Sequence, residues 1–380
     1  MLTLTAISAL IWVYLLLFHG RFWQTGPVLT ARVPSSRPVV AIVVPARDEA
    51  ETIDAVLRSL LAQDFPQAFR VILVDDNSTD GTGDIARSIA DPRLTVVPGA
   101  PRLTVVTGAP RPAGWSGKLW AVSQGVARAG DATMILLTDA DIVHRPQHLA
   151  TLVARAERGD LDMVSEMVEL ACESWAERAL VPAFVFFFQL LYPFDWVNDS
   201  LRPTAAAAGG TILIRTRALD RIGGVEAVRG ALIDDVALAT AVKRGGRIWL
   251  GHSALARSVR PYPGVADIWR MVARTAYVQL RFSPFILLGT TLGMALTWLL
   301  PPAAALFGSG LVRGLGLATW AMLAGSYLPT LRRFGRSYFW APFLPLVAAF
   351  YMAATIGSAV NHYRGRGVAW KGRAYQGAGA

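Results

Sequence analysis

From residue 39 to residue 141 the chain repeats one pattern: a short, unbroken apolar run that stops abruptly at polar or acidic residues. Residues 39–44 run into Pro45-Ala46-Arg47-Asp48-Glu49, residues 69–74 into Asp75-Asp76-Asn77-Ser78-Thr79-Asp80-Gly81-Thr82, and residues 133–138 into Asp139-Ala140-Asp141. Apolar runs of this length read as buried strands, and residues 49–62 and 82–90 read as the helices between them. Strand alternating with helix predicts an α/β domain with a mainly parallel sheet, in which ligands bind beyond the carboxyl ends of the strands.

The acids at the end of the third run carry the most chemistry. If the backbone stays extended, Asp139 and Asp141 project to the same side, because strand side chains alternate. One Mg²⁺ or Mn²⁺ could then meet both, leaving its other positions to water and to the phosphate oxygens of a nucleoside diphosphate. An acidic turn followed by a helix cap before Pro146 would give the same letters, so the neighbours decide. Gly114-Trp115-Ser116-Gly117-Lys118 opens a helix reaching to about Ala129, which sets Lys118 near a terminus that attracts anions. The paired glycines Gly209 and Gly210 precede another apolar run and let backbone approach a ligand closely. Asp234 and Asp235 begin a helix over residues 236–243, where acids are also ordinary complements of the helix dipole. His144 and His148 are four apart, but Pro146 lies between them and no third metal ligand stands nearby; His144 reads more simply as a diphosphate contact.

Composition bounds the rest. Of 380 residues 53% are hydrophobic and only 17% charged, an excess that membrane segments account for. The net charge of +10 suits an anionic leaflet or phosphate substrates; with no Lys/Arg-rich block interleaved with aromatics, nucleic acid is the weakest partner. A single cysteine, Cys172, excludes an intramolecular disulfide and any cysteine-based zinc site, which fits a reducing, cytoplasm-facing catalytic part.

Leu2 to Phe18 is apolar apart from Thr and Ser and is followed, not preceded, by arginines at 21, 32 and 37. The segment reads as an anchor with the next domain in the cytoplasm, since a cleaved signal would need a basic start and a small-residue cleavage site. Residues 175–196 are strongly apolar, yet Glu177, Arg178, Pro182, Gln189, Pro193 and Asp195 favour a helix at the interface or under the domain over a crossing. An amphipathic basic helix covers residues 264–283, and residues 285–307, 311–331 and 338–360 are each long enough to span. Three crossings would put Arg332, Arg333 and Arg336 on the opposite side from Arg364, Arg366, Lys371 and Arg373, against the positive-inside rule. Either Pro301-Pro302 or Pro342 and Pro345 must turn one segment back. The expected order is an anchor and linker (1–37), a catalytic domain (38–263), the interfacial helix (264–283), membrane segments (284–362) and a basic tail (363–380). A near-exact repeat, residues 93–101 and 102–110, reads as one strand plus one spare loop or edge hairpin.

The order of these motifs resembles the inverting, membrane-associated family 2 glycosyltransferases of GT-A type, over about residues 39–281. The residues that carry the likeness are Val43-Val44-Pro45-Ala46-Arg47-Asp48-Glu49, Val74 to Thr82, Asp139-Ala140-Asp141 and Asp234-Asp235. Within that family the chain is most similar to hopene-associated glycosyltransferases and more distantly to ceramide glucosyltransferases, a placement supported by residues 270–284 and by Trp370-Lys371-Gly372-Arg373-Ala374-Tyr375. The resemblance implies a nucleotide-sugar-binding GT-A domain flanked by transmembrane helices in the inner membrane. It further implies that Pro45, Arg47, Glu49, Asp75 and Asp76 surround the base and ribose, that Asp141 reaches metal and diphosphate, and that Asp235 is the catalytic base. Two departures stand out. Asp234 replaces the family's usual Glu, and the family's Gln/Arg-x-x-Arg-Trp motif is degenerate around Arg270, Arg274 and Gln279, which favours transfer of one sugar over polymer synthesis.

Three classes of function compete: a glycosyltransferase acting on a lipid acceptor (hopanoid, polyprenyl phosphate or sphingolipid), a non-catalytic sugar-nucleotide-binding scaffold, and a channel or transporter. The apolar segments carry no charged intramembrane pathway of the kind the last needs.

Overall fold

The computed structural model describes residues 1–89, 102–365, 369–370 and 373–374. The sheet is built from β1 (Val40–Ala46), β2 (Phe69–Asp75), β3 (Arg102–Thr107), β4 (Met134–Thr138), β5 (Ile142–His144), β6 (Met163–Glu169), β7 (Thr211–Arg215) and β8 (Ile248–Ser258). Their order is β3-β2-β1-β4-β7-β6-β8-β5. The β1–β2, β2–β3, β1–β4 and β6–β8 pairings are parallel, while β4–β7, β6–β7 and β5–β8 are antiparallel. This is the mostly parallel, mixed sheet of a GT-A fold. The strand order runs one way from β1 to β3 and the other way to β4, so the crevice for a ligand opens at the carboxyl ends of β1 and β4.

β1 is buried along its whole length, as its continuous apolar sequence requires. Pro45 is tolerated in this central strand because the β1–β4 ladder ends at Val43 and Leu137, before the missing N–H is needed. Covering the sheet are α2 (Ile53–Leu61), α3 (Thr82–Ile89), α4 (Gly117–Val126) and α5 (His148–Arg158), with α8 (Thr216–Arg221) and α9 (Asp234–Lys243) further along the chain. α2 offers Ile53, Val56, Leu57 and Leu60 to the core, spaced as one helical face. α4 lies so close to β1 that a methyl at Gly125 would sit 2.4 Å from Val43 Cγ1.

Three expectations need adjustment. The backbone does not stay extended through the acidic pair: β4 stops at Thr138, the Ile142 amide donates back to the Asp139 carbonyl, and a turn intervenes. The second copy of the repeat is the one that forms β3; the first lies outside the described residues. The chain also divides differently. Pro27–Ala171 and Trp196–Arg260, with the ribbon of β9 (Ala369–Trp370) and β10 (Arg373–Ala374), make one unit; Met1–Gly26, Cys172–Asp195 and Pro261–Val368 make the other. Residues 172–195, expected inside a continuous domain at 38–263, thus belong with the helices.

The helical unit contains α1 (Leu2–Phe18), α6 (Trp175–Leu191), α10 (Val265–Gln279), α11 (Pro284–Met294), α12 (Leu300–Phe307), α13 (Gly310–Arg333) and α14 (Leu344–Tyr363); the short α7 (Phe194–Asn198) lies at the division. α6 starts with a capping box between Ser174 and Glu177, and its Phe186 meets Phe22, Trp298 and Tyr327 at centroid distances of 5.4, 6.1 and 5.3 Å. A π-helical turn at Ala295–Leu299 joins α11 to α12 just before Pro301-Pro302. Pro301 has no N–H to offer the carbonyl of Thr297 four residues earlier. The indole of Trp12 supplies the missing donor, with Nε1 2.7 Å from that oxygen.

Replacing Trp12 by Phe keeps the ring and strands the Thr297 carbonyl, a loss of roughly 1–3 kcal/mol for a buried unsatisfied group. Trp12→Phe is expected to lower the thermal unfolding midpoint of the purified protein in detergent; an unchanged midpoint would mean the carbonyl has another donor.

Candidate active site

The loops after β1 and β2 are tied to each other. Asp48 N donates to Ser78 Oγ at 3.0 Å, and Thr79 N donates to Asp48 Oδ1 at 2.9 Å. Asp48 (φ 50°) and Asn77 (φ 55°) both take the left-handed conformation that Asp and Asn tolerate better than most residues. Arg47 bonds the Asp76 carbonyl and lies 3.8 Å from the Asp76 carboxylate, which is buried; Asp75 is buried too and accepts from Ser78 N at 3.0 Å. Pro45, Arg47, Asp75 and Asp76 therefore form one corner of the cleft.

A second cluster stands at the end of β4. Ser116 caps α4 by accepting from Leu119 N, which presents Lys118 in the first turn. Lys118 Nζ lies 2.9 Å from Asp139 Oδ1 and 3.1 Å from Asp234 Oδ2. Asp235 follows at the start of α9, and a methyl on Gly209 would come within 3.3 Å of Asp235 Oδ2 and 3.4 Å of Lys118 Nζ. A side chain there would press on the ends of both. Gly210 packs on Val168 and Ile142, where a methyl would meet carbons at 3.3 to 3.5 Å.

Arg260 joins the two corners. Its Nε donates to Asp141 Oδ2 at 2.7 Å and its Nη2 to Glu49 Oε1 at 2.6 Å. The sequence reading missed this residue; its only local signal is a cation just beyond the end of a strand, β8. It also misplaced His144, which is buried and bonded to Thr138 and His148 rather than open to a diphosphate.

Burial raises Asp235 to about 7, with the charge of Asp234 adding to the shift and Lys118 opposing it. Asp139 is raised as well, first by burial, against the pull of Lys118 and with the repulsion of Asp141. For Lys118 burial acts downward, but Asp139 and Asp234 outweigh it and hold the ammonium above its ordinary value. Burial likewise opposes the charge of Arg260, and Asp141 and Glu49 override it.

The donor set suits a hard divalent cation. The contact to Asp139 falls on Oδ1 and those to Asp141 fall on Oδ2, so one oxygen of each acid carries no contact among the described residues. No group of three or more His, Cys, Asp or Glu is arranged to hold a metal among the described residues. A cation here would complete its shell with water and diphosphate oxygens, the usual habit of Mg²⁺.

Acids and their counter-cations are thus gathered at the switch point of a GT-A sheet. Residues 41–223 match the family described as glycosyl transferase family 2, so the chain carries a domain of that family. Among curated proteins it is 37% identical to glycosyltransferase AglE of Haloferax volcanii over 57 residues, 15% of this chain and 19% of that protein. It is 33% identical to the 4,4'-diaponeurosporenoate glycosyltransferase of Staphylococcus aureus over 115 residues, 30% of this chain and 27% of that protein. The alignments thus span about a fifth and a quarter of those relatives. Among solved structures, the mannosyltransferase PcManGT of Pyrobaculum calidifontis, in complex with GDP-Man and Mn²⁺, aligns with 95% of this chain and 99% of its own at a TM-score of 0.57 and 21% identity, a likeness of fold.

Lys118 makes the acid cluster tolerable. Acids whose pKa is raised by folding bind more protons folded than unfolded, so stability falls as pH climbs from about 4 toward the raised value. Lys118→Met removes the compensating cation and widens that window. The variant should lose roughly 1–2 kcal/mol relative to the parent at pH 8 and much less at pH 5. Melting curves at the two pH values check this; an equal loss at both would separate Lys118 from the acids.

Proposed function

We propose that the chain is an inverting glycosyltransferase that moves a single sugar from a nucleoside-diphosphate sugar to the hydroxyl of a membrane lipid. The observation that carries the reading is Asp235: a half-buried carboxylate raised to about 7 at the start of α9, next to Asp234 and the Lys118 cation that Asp234 holds. A general base working near neutral pH needs a pKa of this kind. Asp235 takes the proton as that hydroxyl attacks the anomeric carbon opposite the departing diphosphate, which inverts the centre without a covalent enzyme intermediate. Asp234 raises Asp235 and holds Lys118.

Asp139 and Asp141 would hold Mg²⁺ or Mn²⁺, which when bound neutralises charge on the leaving diphosphate. Lys118, held beside Asp139 and Asp234, would add a positive charge on the same side of the leaving diphosphate. Arg47, Asp75, Asp76 and Pro45 line the base and ribose side, and Glu49, braced by Arg260, orders the approach between the two. A hopanoid-like, polyprenyl-phosphate or sphingolipid-type alcohol is the acceptor class.

The helical unit supports the lipid. Two helices, Pro284–Phe307 and Tyr338–Tyr363, are both long and apolar enough to cross a bilayer, and the apolar Leu2–Phe18 is slightly shorter. Leu10, Leu17, Phe285, Leu292 and Phe307 all present their side chains outward, a surface suited to acyl chains. Only Gly308 and Ser309 separate α12 from α13, so α13 returns beside it. α14 instead runs along the basic, amphipathic α10: Trp269 meets Phe350 at 5.6 Å, and Tyr277 N donates to Ser358 Oγ at 3.1 Å. We read α1, α11–α12 and α13 as crossings and α14 as interfacial with α10. Arg332, Arg333, Arg336 and Arg364 then share the cytoplasmic side with the catalytic unit, as the positive-inside rule asks.

Two experiments test this. With a panel of nucleotide sugars, Mn²⁺ and extracted lipid, Asp235→Asn should abolish transfer and leave donor binding within about threefold, since the amide fills the same volume but takes no proton. In the parent, kcat/KM should rise with pH through about 7. Asp234→Asn removes a neighbouring negative charge and should move that rise to lower pH; transfer by Asp235→Asn at the parent's rate would end the base assignment. For topology, on a Cys172→Ser background, Ser309→Cys should react with a membrane-impermeant maleimide from outside intact cells, and Arg364→Cys only after lysis. Labelling of both from outside would make α14 a crossing.

A further inference from the structure

Behind the acidic pair lies a buried polar chain that the mechanism above does not use. Glu166 Oε2 and His148 Nε2 are 2.5 Å apart, His148 Nδ1 and His144 Nδ1 2.8 Å, and His144 Nε2 and Thr138 Oγ1 3.1 Å. Thr138 Oγ1 lies 2.9 Å from the carbonyl oxygen of Gly210. All four side chains are buried, with Glu166 and His148 fully so.

Proton counting gives this chain a direction. A carbonyl only accepts, so the Thr138 hydroxyl donates to Gly210 and must accept from His144 Nε2–H. Burial holds His144 well below its ordinary value, so the ring is neutral and its Nδ1 is bare. His148 Nδ1–H then donates to it, and one further proton sits between His148 Nε2 and Glu166 Oε2. The set is neutral as a whole. Reversing every bond would cost the Gly210 carbonyl its Thr138 donor and leave an uncompensated negative charge in the core, the costlier arrangement. Among the described residues Glu166 Oε1 has no hydrogen-bond partner, which sharpens that cost.

The relay ends at the loop the chemistry depends on. The Gly210 carbonyl also accepts from Asp139 N at 3.4 Å, and on the other side of Gly209 the Ala208 amide and carbonyl both bond Ser165 Oγ, at 2.9 and 3.1 Å. Gly209 is thereby pinned at both ends, in a place where a Cβ on it would lie 3.3 Å from Asp235 Oδ2 and 3.4 Å from Lys118 Nζ.

We propose that Glu166, His148, His144 and Thr138 form a one-way hydrogen-bond relay that positions the Gly209-Gly210 backbone against Asp235, so that they are positioning residues for the transfer step. The catalytic half of this statement rests on the reading of Asp235 as base; the direction of the relay does not.

The test uses the full-length protein with ¹⁵N-labelled histidine, the other rings identified by replacing His19, His252 and His362 singly. His144 should carry its proton on Nε2 with a bare Nδ1, its Nε2 signal moving in Thr138→Val; a proton on His144 Nδ1 overturns the relay. In transfer assays normalised to folded protein, Thr138→Val should lower kcat roughly 10- to 100-fold, as a small misplacement of reacting groups does, with donor KM within about threefold, and Thr138→Ser should recover most of it. A fall in melting temperature with unchanged kcat would make Thr138 merely structural and sink the positioning role. If the parent transfers no sugar to any acceptor, the functional reading fails instead, and the histidine tautomers alone decide whether the relay exists.

Discussion

The contact of Lys118 with Asp139 and Asp234 is what allows the rest of the catalytic unit to exist. Glu49, Asp139, Asp141, Asp234 and Asp235 are brought together from the ends of separate elements, and such a gathering would repel itself apart in a half-buried cleft. Lys118 and Arg260 divide the charge between them, one serving the β4 and α9 acids, the other serving Glu49 and Asp141. Asp139 and Asp235 are both raised, first of all by burial, and Asp235 to about 7. Stability and reactivity are thus set by one distribution of charge. A site fully neutralised would be more stable and would hold no carboxyl raised toward neutrality.

Much of this was legible because strand termini are local. The apolar runs that stop at Arg47, Asp75 and Asp139 announce their own ends, and the helix start at Asp234 is written in two adjacent acids. Lys118 was legible for a similar reason, since Ser116 and its neighbours mark a helix opening. Arg260 was not, because its role comes from β8 lying beside β5 and β6, a pairing between residues about a hundred apart that no window of sequence contains. The histidine pair was seen at its helical spacing, but the spacing does not say which way the rings face; Glu166, on β6, decides that. The extended Asp139–Asp141 geometry failed for a related reason: the Ile142 amide needs an acceptor when β5 leaves for another part of the sheet, and the Asp139 carbonyl supplies it.

The membrane segments illustrate the limit of composition. Length and hydropathy select Pro284–Phe307 and Tyr338–Tyr363 without distinguishing their surroundings, whereas packing does. Trp269, Phe350, Tyr277 and Tyr363 interlock along α10 and α14, and no such partner meets the exposed side of α11.

The Trp12 indole answering the carbonyl that Pro301 leaves behind has a consequence for how the chain comes into being. A ribosome makes α1 first and its hydrogen-bond partner nearly three hundred residues later, with α6 supplied midway. The first helix must therefore wait for its partners while the sheet-bearing unit that lies between them in the chain is synthesised. Neither unit can be lifted out by cutting the chain once, and a version trimmed at both ends for solubility would keep Phe186 while discarding Phe22, Trp298 and Tyr327, the rings that cover it.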